Sequence, residues 1–450
     1  MYVKTRIVSI VLICLLVASC AGPSSMDIQD VRILPQRVSA FLDMGSEENI
    51  LLVSGQQDKL AAEYLSRHFS PWEMKTPMNS PEKLFWGHAV FAEKDVYGEN
   101  KRKRSKDWLE NLVRLADVEN FPSRGFKGIT VRNTDMRVLP TIEPVFHEFS
   151  RAGEGFPFDY NQNTALAANT PVFITHASKN SAWLLAESSF AYGWVPAADV
   201  ARVDEFFADQ FQTGTYAVPL KDNLPVRDRD GIYRFDARIG TLLPVCSHNG
   251  DSIEVFLAVS DRKQRSVPVT TRLSFEDFAI FPAPLTPKLA AEIGGRLLGQ
   301  SYGWGGLYGN RDCSATTRDI LASFGIWLPR NSSKQAEHGQ VIDLKGLPAD
   351  QKNEIILEQG VPFLTLLNMP GHVMLYIGEY KGRAAALHST WGLKTWDLLH
   401  GEGRRIIGST VITTLQPGRE LMNLSRPEGL LINRISSMSI LGLAEAPTLK

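Results

Sequence analysis

The spacing of apolar residues changes twice along the chain, and those two changes bound what it can fold into. From residue 24 to about 126 the pattern is helical. Leu60, Ala61, Tyr64, Leu65 and Phe69 recur at helical spacing within 57–69, and Trp108, Leu109, Leu112, Val113 and Leu115 do so within 107–118. Near Ile129 the texture switches to short alternating stretches separated by turn residues, at 129–131, 171–175, 182–185 and 193–196. A second series follows at 216–218, 224–226, 242–245, 253–257 and 267–269, which together predict two small β-barrels. Beyond the stiff connector 281–287 a helix returns at 288–298 and opens a last domain of mixed type.

Composition narrows the classes. The chain has 450 residues, 44% hydrophobic and 22% charged, which fits about three ordinary globular domains. Lys and Arg number 48 against 49 Asp and Glu, so no global basic field points to nucleic acid. No apolar run reaches the roughly 20 residues of a spanning helix. The N-terminus reads as an address: Lys4 and Arg6, an apolar run over 7–17, then Val17-Ala18-Ser19-Cys20. This resembles a bacterial lipoprotein signal, cut before Cys20, whose thiol would carry lipid and hold the chain on a membrane surface. Ala21 rather than Asp after that Cys points to the periplasmic face of the outer membrane in a Gram-negative cell. Plain secretion with an incidental Cys20 is the competing reading.

Four cysteines leave little else to pair. Cys14 departs with the signal and Cys20 is lipidated, so Cys246 and Cys313 remain, with no disulfide framework. Cys246, in an apolar β stretch, is expected to be buried and inert. The basic run 101–106 reads as a solvated loop or helix start rather than a polymer-binding patch.

Cys313 stands in different company. Asp312 is a good N-cap; Ala315, Ile320, Leu321 and Phe324 give the following segment an apolar face; Gly325 is a good stop. A thiol at a helix N-terminus is expected to have a lowered pKa. Asp312 opposes that, which suggests another job for it. A strand over 371–378 carries His372, and a hairpin symmetric about Tyr380 would set His372 opposite His388. Nucleophile, base and orienter would then stand in the required relation. A zinc site made of Cys313, His372 and His388 is the alternative, although it has no short-spaced ligand pair and no fourth ligand.

Tyr302-Gly-Trp-Gly-Gly306, Asp312-Cys313-Ser314, Leu328-Pro-Arg330 with Ser332 and Gln335, Gly371-His372-Val-Met-Leu-Tyr-Ile-Gly378 and His388 resemble the NlpC family of bacterial cell-wall cysteine peptidases. Phe158-Asp-Tyr160 and Gly193-Trp-Val195 resemble the SH3-like barrels of its multidomain members. Two departures stand out: Ala315 where many members have Gly, and no Pro-Gly-Asp segment before the His strand. The resemblance implies an α+β chain: signal 1–19, helical segment 20–126, SH3-like barrels 127–204 and 205–282, a papain-like peptidase domain 286–420 and a tail 421–450. It implies hydrolysis of murein stem peptides between D-γ-glutamate and the diamino acid, with a free N-terminal L-Ala. Cys313 would be the nucleophile, His372 the base and then acid, and His388 the orienter. Asp312 and Ser314 would hold the L-Ala ammonium, with Ser332 lining the cleft and Tyr192 a candidate contact from the first barrel. The backbone N–H of Cys313 would serve the oxyanion. No cofactor, metal or nucleic acid is implied, and no protein partner is indicated. An amidase, a cross-link endopeptidase and an inactive wall-binding lipoprotein are the alternatives.

Overall fold

The computed structural model describes residues 28–442, so the expected signal segment and Cys20 lie outside the described residues. Helix α1 (Gln56–Glu73) and helix α2 (Lys106–Ala116) form where the sequence is helically patterned. Ser105 caps α2 by accepting from the Trp108 amide, so the basic run ends as a helix start. Two of its charges are spent locally: Lys103 pairs with Asp95, and Arg104 lies over Trp108 and pairs with Glu99.

The first barrel is a seven-stranded antiparallel sheet. Its strands are β1 (Phe126–Thr130), β2 (Thr134–Arg137), β3 (Gln162–Leu166), β4 (Pro171–Ala177), β5 (Trp183–Glu187), β6 (Tyr192–Pro196) and β7 (Val200–Arg202). They lie in the order β3-β2-β6-β5-β4-β1-β7. The long 138–161 connection between β2 and β3 is tied down by a buried ion pair, Arg137 to Asp159 at 2.9 Å, and Asp159 also accepts from the Val145 and Asn161 amides.

The second barrel holds β8 (Tyr216–Pro219), β9 (Leu224–Arg227), β10 (Tyr233–Ala237), β11 (Leu243–His248), β12 (Ser252–Ser260), β13 (Ser266–Ser274) and β14 (Phe278–Ile280). Five of them pair as β13-β12-β11-β8-β14, and β9 with β10 make a separate ribbon. Cys246 is exposed here, not buried as expected. Val245 points into the core, Cys246 alternates outward, and a bulge before Ser247 carries the strand off the core.

The last domain opens with helix α3 (Pro287–Arg296), then helix α4 (Cys313–Ala322) and helix α5 (Ala349–Gln359). Its six-stranded sheet uses β15 (Gln340–Asp343), β16 (Thr365–Met369), β17 (His372–Tyr380), β18 (Arg383–Asp397), β19 (Gly401–Thr414) and β20 (Ser437–Ile440), in the order β15-β20-β16-β17-β18-β19. The expected tail over 421–450 is therefore corrected. Its residues include β20, which pairs with β15 on one side and β16 on the other, and Met438 and Ser439 are fully buried.

The N-terminal segment clamps the other three parts together. Trp72 of α1 donates to Gly128 O of the first barrel at 2.8 Å, and Phe69 packs on Tyr216 of the second. The Gln57 amide bonds Ala283 O, Phe324 O and the Leu285 N–H. Gln36 bonds both backbone groups of Ile412 on edge strand β19, and Asp30 accepts from the Thr414 amide and hydroxyl. These side chains satisfy an edge that would otherwise present unpaired backbone groups. Replacing Gln57 by Ala strands two carbonyls and one amide at the junction, and should lower the unfolding free energy by about 1–3 kcal/mol in urea titration.

Candidate active site

Asp312 organises the start of α4. Its Oδ1 accepts from the Ala315 amide at 2.9 Å and from the Ser314 hydroxyl at 3.1 Å, and its Oδ2 accepts from the Gly305 amide at 3.1 Å. The Arg330 guanidinium closes on both oxygens, at 3.1 and 2.6 Å, and reaches Ser314 Oγ at 2.8 Å and Thr164 Oγ1 of the first barrel at 2.8 Å. Every acceptor direction of the carboxylate is thus filled from within the chain. Any ligand ammonium held by Asp312 and Ser314, the role expected of them, would join a network already in place. Asp312 does pair with a cation, but the cation is Arg330. Sequence reasoning quoted Arg330 within a motif and gave it no role; a lone Arg close to Phe324, Ile326 and Leu328 was the available signal.

Cys313 follows the cap and is 7% exposed. Strand β17 lies across the start of α4, and its first residue, His372, is 9% exposed. His372 Nε2 lies 2.8 Å from His388 Nδ1, and His388 Nε2 lies 3.0 Å from Thr413 Oγ1 on β19. The structure therefore joins the two predicted histidines and adds Thr413 behind them. The register that led to the expectation is incorrect, however. Lys381 and Gly382 both have positive φ and make a two-residue turn, so Tyr380 pairs with Arg383 and Gly378 with Ala385. A bulge between Tyr376 and Gly378 then sets Leu375 opposite Leu387, and His372 meets His388 across a diagonal. No hydrogen bond joins Cys313 to His372 among the described residues. Ring nitrogen Nδ1 of His372 is left for the thiol side, since Nε2 is engaged.

The electrostatics of the resting site reverse one expectation. Burial pushes the Cys313 thiol up to about 12, and Asp312 adds to the rise, while the Val373 and Ser314 amides oppose it. Burial pushes His372 down to about 3, with Arg434 adding to the fall. The helix N-terminus does not overcome desolvation and a neighbouring carboxylate, so thiol and imidazole rest neutral. Tyr302, also buried beside Cys313 and Asp312, is raised well above its ordinary value.

An aromatic wall covers this side of the domain. Phe158 of the first barrel packs edge-on against Trp304 and Trp391 and lies near Tyr302, and Tyr160 packs on Trp304. Tyr192 is not part of it. It lies in a separate apolar cluster with Trp194 and Phe85, so the first-barrel aromatic residues that meet the Trp304 wall are Phe158 and Tyr160. Ser332 starts a one-turn helix clipped to α4 by buried Gln335, which accepts from Thr317 Oγ1 and donates to Ser314 O. Ser332 itself makes no hydrogen bond to Cys313, Asp312 or Ser314. No cluster of three or more His, Cys, Asp or Glu suited to a metal occurs among the described residues.

The parts of the chain match known domain families in order. Residues 7–121 match the NLPC_P60 stabilising domain, 144–196 an SH3 domain of SH3b1 type, 204–248 an SH3 domain of SH3b2 type and 299–395 the NlpC/P60 family itself. The fold is similar to that of an NlpC/P60 endopeptidase from Photobacterium damselae subsp. piscicida, with TM-score 0.83 and 25% identity over 92% of this chain and 98% of that one. A gamma-D-glutamyl-L-lysine dipeptidyl-peptidase of Bacillus cereus is 27% identical over 192 residues, which is 42% of this chain and 54% of that protein. The chain thus spans about half the length of that relative. It carries a domain of the NlpC/P60 family over residues 299–395, preceded by that family's stabilising domain and two SH3-like domains.

Two outcomes test this picture of the site. Arg330→Met leaves the buried Asp312 carboxylate unpaired and should cost about 3–5 kcal/mol in urea unfolding, whereas the Arg330→Met, Asp312→Asn double variant should regain part of it. The second concerns acid stability. His68 and His88 are held at about 4 and His372 at about 3 by burial, against 6.5 for an ordinary imidazole. Between pH 6.5 and about 4 the unfolded chain binds more protons than the folded one, so stability is lost as pH falls through that window. Thermal melts taken at pH 7, 5.5 and 4.5 should show a progressive drop, and a flat profile would contradict it.

Proposed function

We propose that the protein is an exported, lipid-anchored cysteine peptidase that cleaves the γ-D-glutamyl-diamino acid bond of short murein stem peptides. The observation that carries the reading is the buried His372–His388–Thr413 chain set against Cys313 at the capped start of α4. That set has the roles of base, orienter and nucleophile. The relative named as a gamma-D-glutamyl-L-lysine dipeptidyl-peptidase supports the choice of bond. The wall of Phe158 and Tyr160 against Trp304 supports a short substrate rather than intact sacculus, and with it a peptide whose L-Ala amine is free.

In this mechanism Cys313 starts as a thiol and His372 as a neutral imidazole. As sulfur bonds the γ-carbonyl carbon, the thiol proton passes to His372. The carbonyl oxygen becomes an oxyanion facing the Cys313 amide at the helix start. The imidazolium is stabilised by His388 and returns its proton to the departing amine, which breaks the C–N bond and leaves a thioester. Water, deprotonated by His372, then releases the γ-glutamyl product and restores the thiol. Asp312 and Arg330 hold the helix start in place and do not touch the reacting atoms. Lys4, Arg6, the apolar run and Cys20 support export and anchoring, on the outer membrane's periplasmic face in a Gram-negative cell.

The soluble mature chain incubated with L-Ala-γ-D-Glu-meso-diaminopimelate should release L-Ala-γ-D-Glu, read by mass. Cys313→Ala should abolish release by at least about a thousandfold while the thermal melt stays unchanged. Cleavage at any other bond would redirect the reading to an amidase or a cross-link endopeptidase. Turnover retained by the Cys313→Ala variant would refute the thiol mechanism.

A further inference from the structure

A cavity of about 440 Å³ lies where all four parts of the chain meet, on the face of α4 turned away from His372. Cys313, His372, His388 and Tyr302 do not line it. Its floor is Ala315, Arg318, Asp319 and Ala322, residues spaced along one side of α4. The other walls come from α1, the first barrel, a loop of the second and two segments of the last domain, 306–311 and 327–330, the latter including Arg330.

Two guanidinium groups at this cavity have hydrogen-bonding capacity that the fold does not use. Arg318 bonds Asp319 Oδ1 through Nε and Nη2, at 3.0 and 2.8 Å, and lies 4.2 Å over the Phe190 ring. Its Nη1 is buried with no partner. Arg238, from the second barrel, makes no side-chain hydrogen bond or ion pair among the described residues. Gly309 has positive φ, and a Cβ there would sit 3.1 Å from Arg238 Nη1, so the absence of a side chain leaves that guanidinium its room. The nearby carboxylates are already committed. Asp222 binds Arg311, and Asp319 binds Arg311 and Arg318. Three guanidiniums, Arg238, Arg311 and Arg318, thus face two carboxylates on this side of the cavity, while Asp135 on the far side has no ion-pair partner among the described residues. Across the cavity Asp199 is taken by Arg132 and the Thr134 hydroxyl, and Asp135 accepts from Gln162.

An unpartnered buried N–H and an unpaired half-buried guanidinium facing one space are the donors a carboxylate would satisfy. Trp183, Phe190 and Trp327 supply flat apolar walls beside them. The volume falls in the range of pockets for small molecules and is wide enough for a di- or tripeptide. We propose that this interdomain cavity is a second binding site, separate from the Cys313 site, for a small carboxylate-bearing molecule of short-peptide size held by Arg238 and Arg318. The proposal does not rest on the bond assigned above to the Cys313 site, because it follows from donors that this site does not contain.

Calorimetric titration of the full mature chain tests it with three probes: L-Ala-γ-D-Glu, the same dipeptide with both carboxylates amidated, and inorganic phosphate. The acidic dipeptide should bind, and the diamide should bind at least about tenfold more weakly, as loss of a charge-assisted contact requires. Arg238→Gln, which removes a guanidinium with no native partner to lose, should fold with an unchanged melt and weaken the dipeptide at least about tenfold. Arg318→Gln should do the same, and the Cys313→Ala variant should bind as the parent does. Dipeptide binding that survives both arginine substitutions would place the ligand elsewhere and overturn the proposal. Equal binding of dipeptide and diamide, tighter binding of phosphate than of the dipeptide, or no binding of any probe would overturn it as well.

Discussion

The salt bridge between Asp312 and Arg330 is the contact on which the catalytic end of the molecule depends. A carboxylate immediately before a nucleophilic thiol is unfavourable by itself, because it opposes the thiolate and must be desolvated. Arg330 neutralises it through two bonds, and the Ala315 and Gly305 amides and the Ser314 hydroxyl complete its shell. The result is a helix start that cannot shift without breaking a buried ion pair, and Cys313 is carried on it. Because Arg330 also reaches Thr164, the same group fixes the first barrel against the catalytic domain. Local geometry at the thiol and domain arrangement are therefore set by one guanidinium.

A second buried arginine repeats the device on the other side. Arg311, one residue before Asp312, bridges Asp222 of the second barrel and Asp319 of α4, and its backbone carbonyl accepts from Ser389 of β18. The second barrel is thus tied to the last domain by an ion pair two residues before Cys313, and the first by the hydrogen bond from Arg330 to Thr164. The N-terminal segment closes the arrangement from outside with amide side chains and aromatic rings. Buried ion pairs are weak as net stabilisers but costly to break singly. Their use here fits a need for fixed relative placement of four parts more than a need for stability.

The elements and their class were largely legible in the chain. The change of apolar period at 126–129 and the Asp-Cys-Ser helix start are local signals, and local signals survive in a single sequence. What was not legible depended on distance. The His372–His388 contact was reached through a symmetric hairpin, yet the real turn is one residue shorter and a bulge shifts the strand. The two errors together turned a direct opposition into a diagonal that still brings the rings within 2.8 Å. The segment after 420 reads as a tail because Ser437–Ile440 is only four residues long, and a strand that short gains its meaning from the neighbours it finds. Cys246 was misplaced by the same route: strand alternation settles inside and outside only once the register is known. Arg330 and Asp312 lie 18 residues apart in sequence, and an Arg close to Phe324, Ile326 and Leu328 does not by itself name its partner.

The neutral state of the resting thiol and imidazole links the fold to the chemistry. Both groups are buried, and burial is the largest cause of the displacement of each from its ordinary pKa. A preformed thiolate–imidazolium pair would have to bear the desolvation of two charges before any substrate arrived. Keeping the proton on sulfur until a carbonyl is in place avoids that cost. In the proposed mechanism charge then appears only as the oxyanion forms, where the capped helix start and the histidine pair can act on it. Such a site shields its thiol from solution oxidants and electrophiles. In the proposed mechanism the same burial means that substrate must reach a thiol that is only 7% exposed. In this arrangement selection by shape and activation of the nucleophile are the same event.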